Sequence, residues 1–272
     1  MDIQNMLDRL DELYSQGNLR EAENCLDMWL DEAYHNRRWN VMLTLFNEME
    51  GLYRTTGRAD KAADISDNAL ELIGMLGLSG TVHHATTLQN GATANRVAGN
   101  MHKALDMYCQ AADIYLSTNS AKSYQMASLY NNISHIYQQQ NKHEKALQNL
   151  KTALNLVKDM DDSNSEIATT KIAMSLSYMA IGDMTEAKNL IDAAIAYYES
   201  DEGKCDGHYG SALSALGEYY WRCEDYDNAI TTYENALKFT RSRFGENEGC
   251  KVITRNMDIV RKEMKEKQQL KG

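Results

Sequence analysis

One pattern recurs six times along the chain and leaves little freedom in how it can fold. A turn residue stands at Gly17, Gly57, Gly99, Asn141, Gly182 and Glu224, at intervals of 40, 42, 42, 41 and 42 residues. Five residues later comes an alanine every time: Ala22, Ala62, Ala104, Ala146, Ala187 and Ala229. Seven further on stand Trp29, Ala69, Ala111, Ala153, Ala194 and Ala236, and four before each turn stand Leu13, Tyr53, Asn95, Tyr137, Tyr178 and Tyr220. Small residues at a fixed phase mark close helix-to-helix approach, and the large anchor before the turn fills the space between paired helices. Self-similarity at such a period is the mark of a repeat architecture.

Composition agrees. The chain has no proline, where average usage gives about 13 in this length, so long helices with short connectors are expected. Hydrophobic residues at 43% and charged residues at 25% suffice for a sizeable core. Helix starts are legible: Asn18, Asn100, Asp183 and Asp225 follow their turns as candidate N-caps, with Ser163 before Asn164 as another, and Asn18/Glu21, Asp183/Glu186 and Ser163/Glu166 have capping-box spacing.

The sixth unit, with Leu216-Gly217-Glu218-Tyr219-Tyr220, then Ala229-Ile230-Thr231-Thr232-Tyr233 and Ala236, resembles the tetratricopeptide repeat family. Leu213 stands at its Trp position, and the terminal proline is missing throughout. The period exceeds the family's 34 residues by about eight, one extra turn on each of two helices, similar to the long-period subclass of kinesin light chains and bacterial peptide-sensing regulators. The resemblance implies an all-α fold, a right-handed superhelical α-solenoid of six helix pairs plus a C-terminal capping helix. The expected organisation is a single solenoid over 1–272, with repeats at 1–36, 37–78, 79–119, 120–161, 162–203 and 204–243 and the capping helix over 247–267.

The sequence carries no recognisable catalytic, cofactor or metal motif. His83-His84 has no HExxH around it, and neighbours on a helix point about 100° apart. Gly245 to Lys251 lacks the Gly-Lys-[Ser/Thr] ending of a phosphate loop. The acidic run from Asp159 to Glu166 lacks the sixth-position glycine and twelfth-position glutamate of a calcium loop. Five scattered cysteines without a CxxC pair read as reduced thiols. The reading is therefore of a non-enzyme without cofactor or metal.

A formal net charge of −11 argues against tracking nucleic-acid phosphates. No long apolar run indicates a membrane span, and the N-terminus lacks a basic, apolar leader, so a cytoplasmic location is expected. The pattern begins almost at Met1, which leaves no room in this sequence for a preceding DNA-binding domain.

By the resemblance, the first helix of each pair lines a concave surface. Repeat-equivalent positions there are Asn47, Gln89 and Asn131, an amide ladder; Arg54, Arg96, Gln138, Met179 and Trp221; and Thr93, His135 and Leu176. Side-chain amides can pair with both N–H and C=O of an extended peptide, and arginine can hold a carboxylate bidentately. The resulting expectation is a binding scaffold for a protein or peptide partner, or alternatively a peptide-sensing regulator, with an enzyme of unrecognised site as the remaining class.

Overall fold

The computed structural model describes residues 2–118, 120 and 123–271, and over these the chain is a succession of helices with no strand. In order they are α1 (Ile3–Ser15), α2 (Leu19–His35), α3 (Trp39–Thr55), α4 (Ala59–Met75), α5 (Val82–Val97), α6 (Met101–Ser117), α7 (Tyr124–Gln139), α8 (His143–Val157), α9 (Asn164–Ile181), α10 (Met184–Tyr198), α11 (Tyr209–Arg222), α12 (Tyr226–Phe244) and α13 (Glu248–Lys271). The expected six helix pairs and closing helix are all present.

The turn within each pair explains the residue found there. All six turn positions have positive φ: Gly17 68°, Gly57 75°, Gly99 87°, Asn141 56°, Gly182 87° and Glu224 60°. Glycine reaches this left-handed conformation without the Cβ clash that other residues meet. At each turn two backbone bonds reach back into the ending helix, as when Gly99 N–H donates to Arg96 C=O and Asn100 N–H to Asn95 C=O. The chain thereby reverses within two or three residues, and the next helix runs back antiparallel.

Packing follows the alanine phase. Ala22, Ala62, Ala104, Ala146, Ala187 and Ala229 are all fully buried, and so are the five later alanines, with Trp29 3% exposed in the first repeat. Leu13, Tyr53 and Asn95 are buried anchors, whereas Tyr137, Tyr178 and Tyr220 are half-buried. The polar anchor Asn95 is satisfied internally: its amide donates to Gly91 C=O at 2.9 Å, and its oxygen accepts from Asn100 at 3.3 Å. That second bond diverts Asn100 from capping α6. Asn18 makes no capping bond to α2, and the Ser163 hydroxyl donates to Met160 C=O, while Asp183 and Asp225 cap α10 and α12 as expected.

The chain divides into two compact units, residues 1–129 and 130–272, with the division inside α7. Within unit 1, α2 through α6 each pack on the next, and α3 also touches α5 directly. Its core near the start joins Met6, Leu10, Leu26, Trp29, Leu45 and Phe46. Within unit 2, α8 through α13 pack in succession and α9 touches α11. Tyr233, Ile253, Met257 and Val260 join the inner side of α13 to α12, which is the capping role expected of it. The odd-numbered helices of a unit thus form one layer and the even-numbered helices another.

Candidate functional site

The odd-helix layer carries most of the residues singled out from the sequence, and the two units use them differently. In unit 1, α3 supplies Asn47, Glu50 and Arg54 at spacings of three and four, so they share one side of the helix. From α5 come Gln89, Thr93 and Arg96 in the same spacing. Asn90 of α5 donates its amide to Asn47 Oδ1 at 2.9 Å. Gln89 is buried: it donates to Ser128 Oγ at 3.1 Å and accepts from Tyr115 Oη at 3.2 Å. Thr93 lies 3.0 Å from the Gln89 carbonyl and 2.8 Å from Tyr108 Oη.

The two arginines stand apart from this satisfied set. The Nε of Arg54 and that of Arg96 are both buried without a hydrogen-bond acceptor among the described residues. Burial lowers the pKa of Arg54, against the opposing pull of Glu50, and the charge of Arg96 lowers it further. Arg96 also bonds the hydroxyl oxygen of Tyr108, whose pKa is raised chiefly by burial. Behind them Glu50 is fully buried, with neither carboxylate oxygen hydrogen-bonded. Burial pushes the Glu50 carboxyl up to about 8 against the opposing pull of Arg54. A carboxylate this deep and unpartnered takes a proton because its charged form has lost its water. At the other side of α3, burial and Asp11 raise Glu48, and the Tyr14 hydroxyl, also raised by burial, has no partner.

In unit 2, Asn131 donates to Thr170 Oγ1 at 2.9 Å, leaving its own oxygen buried and unpartnered. Gln138 donates to Ala173 C=O at 2.7 Å and Ser177 Oγ at 2.8 Å, and its oxygen lies 3.0 Å from His135 Nδ1. The amide ladder read from the sequence is therefore engaged in joining neighbouring first helices. The partners are Asn90, Ser128 and Thr170 of the next first helix, so these amides are largely engaged within the protein before any peptide arrives.

One expectation is corrected, at Met179, and a second residue, Trp221, is found partly engaged within the protein. Met179 is 2% exposed and packs with Ala187, Ile191 and Tyr198 in the core of unit 2, so it offers no surface to a ligand. Trp221 is half-buried against α13, where its Nε1–H donates to Glu263 at 2.7 Å. Leu176 keeps an outward edge. It lines a cleft of about 420 Å³ with Gln138, Asn141, His143, Ala180, Glu218 and Arg222. Arg222 closes one side through two bonds to Glu218 Oε1, at 2.9 and 2.7 Å, and the Nδ1 of His143 is buried without a partner.

Sequence reasoning missed Glu50. Its spacing from Asn47 and Arg54 was available, yet nothing in the pattern distinguished it from the many exposed glutamates of an acidic chain. Among the described residues no cluster of three or more His, Cys, Asp or Glu side chains is set to hold a metal ion. No described helix is long and apolar enough to cross a membrane.

An array of antiparallel helix pairs defines a helical-repeat protein. Residues 83–159 and 212–243 each match a tetratricopeptide repeat model. No curated protein matches it in sequence. Among solved structures, it is similar to NprR in complex with its cognate peptide NprX, with a TM-score of 0.69 and 15% identity over 95% of this chain and 71% of that one. A Rap protein complexed with Competence and Sporulation Factor gives a TM-score of 0.64 and 16% identity, covering 88% and 77%. BtubC from P. vanneervenii gives 0.61 and 24% identity, covering 71% and 78%. At these identities the likeness is one of fold.

Proposed function

We propose that this protein is a non-catalytic scaffold whose first-helix layer binds an extended peptide or a segment of a partner protein. The observation that carries this reading is the pair Arg54 and Arg96. They are two guanidiniums on adjacent first helices of a strongly acidic chain, and no carboxylate of the described residues lies within ion-pair distance of either. An arginine pair left without an ion-pair partner is a ready donor to the carboxylates of an acidic peptide. Gln89 and Thr93, held by their own bonds, form a fixed polar floor beside it, and Asn131, His135, Gln138 and Leu176 form the corresponding floor in unit 2.

The similarity in fold to NprR with its cognate peptide and to Rap with Competence and Sporulation Factor supports a small-peptide ligand, and with it the second reading, a peptide-sensing regulator. The acidic charge supports protein partners over nucleic acid or membrane, and a cytoplasmic setting suits scattered free cysteines. The test is a peptide array probed with wild type, Arg54→Ala and Arg96→Ala at two salt concentrations. Acidic peptides retained by wild type and lost by both variants support the reading, and indifference of every bound peptide to both substitutions removes it.

A further inference from the structure

Glu50 has no part in the reading above, and its position makes it more than a structural residue. It lies on α3 one turn before Arg54, at the spacing where glutamate and a basic residue ordinarily pair, yet the two are not bonded. Both Glu50 oxygens and the Arg54 Nε are sealed from water and lack partners at the same time. Unpartnered groups of opposite kind, one turn apart, have an obvious second arrangement in which the ionised carboxylate takes the Arg54 Nε–H. Interiors hold either a neutral carboxyl or a paired carboxylate, because a lone buried charge is costly.

We infer that Glu50 is an internal competitor for the oxyanion seat formed by Arg54 and Arg96: an oxyanion binds there when Glu50 carries a proton, and loses its seat when Glu50 ionises and pairs with Arg54. This rests on the reading that the arginine pair receives a carboxylate, and it adds a coupling between binding and one proton. The groups set around Glu50 are few. Arg54 on its own helix acts on the carboxyl directly, while Arg96 from α5 and Tyr108 from α6 act on Arg54. No titratable group of the described residues on α2 or α4, the other helices packed on α3, contributes at the Glu50 carboxyl. Glu50 is inaccessible, so it touches no ligand and works only through the arginine.

Because the competitor and the bound oxyanion repel one another, the two events are linked: binding draws a proton onto Glu50, and alkaline pH expels the anion. Sulfate is a suitable probe, being a dianion throughout pH 6.5–9.5. Titrate it, against chloride at equal ionic strength, into full-length wild type, Glu50→Gln and Arg96→Ala, reading the glutamate side-chain carbons by NMR in labelled protein. Wild-type affinity should fall by up to about tenfold per pH unit once Glu50 ionises, Glu50→Gln should bind equally across the range, and Arg96→Ala should bind weakly everywhere. The Glu50 carbon should also titrate at higher pH with sulfate than without. Acetylaspartamide and acetylglycine, run in parallel, tell a side-chain carboxylate from a chain-terminal one. Equal pH profiles in wild type and Glu50→Gln overturn the proton coupling while leaving the arginine seat intact. Absence of binding by all three probes at every pH overturns both.

Discussion

Replacing Glu50 by glutamine should shift stability progressively in the variant's favour as pH rises. In the folded protein the carboxyl holds its proton up to about pH 8, whereas in the unfolded chain it ionises near 4.5. Between those values the folded state binds one proton more than the unfolded state, so stability falls with rising pH and levels off above the upper value. Each pH unit costs about 1.4 kcal/mol. Glutamine has nearly the same shape and carries no such penalty. Its amide is as poorly partnered as the carboxyl it replaces, so a constant offset of about 1–3 kcal/mol accompanies the substitution; the pH dependence of the difference is free of that offset. With the sequence pI near 5.1, measurements belong above pH 6 to avoid precipitation. Between pH 6 and 8.5 the stability of the variant relative to wild type should rise by about 3 kcal/mol. Urea unfolding followed by tryptophan fluorescence in a Trp221→Phe background leaves Trp29 and Trp39, both in unit 1, as reporters. A difference that does not change with pH would refute the buried, protonated state of Glu50.

Ala146→Leu should destabilise unit 2 by about 1–3 kcal/mol in thermal or urea unfolding, since the site is fully buried and a larger side chain overpacks it. Gly99→Ala should cost about 1 kcal/mol from backbone conformation alone, because φ is +87° while a Cβ there would meet nothing within 4 Å. Glu263→Ala should red-shift the emission of Trp221 and cost about 1 kcal/mol, as the indole loses its acceptor on α13; an unchanged spectrum would show the contact to be absent in solution.

The repeat phase made the helices, the turns and the alanine contacts legible, because each is dictated by sterics that act the same way in every unit. A residue in the left-handed region or at a zero-clearance crossing leaves a compositional trace whatever surrounds it. Polar side chains left no such trace. Asn47, Gln89, Asn131 and Gln138 occur at the positions expected, but whether an amide faces solvent or a neighbour depends on what the adjacent repeat presents: Asn90, Ser128, Thr170 and Ser177 decide it here. Met179 and Trp221 share a repeat position with Arg54 and Arg96, yet the first is core and the second abuts α13. Equivalent position in a repeat specifies direction from the helix axis, and the depth of the surrounding packing sets exposure. Candidate caps failed for a related reason, since the Asn100 amide and the Ser163 hydroxyl turn to donate to Asn95 Oδ1 and Met160 C=O and do not accept from the N–H groups of the helices they precede.

The succession of helices that pack on the ones beside them bears on how the chain is made. Within each unit the packing is between helices adjacent in sequence or one removed. A growing polypeptide leaving the ribosome can therefore seat each helix on its predecessor within tens of residues of synthesis, without holding an apolar surface open for a partner encoded far downstream. Without a single proline, no step of that assembly waits on prolyl isomerisation. A chain shortened at a pair boundary would lose its last stacking neighbour and leave the preceding pairs largely as they stood, which makes such truncation a natural way to vary the number of repeats.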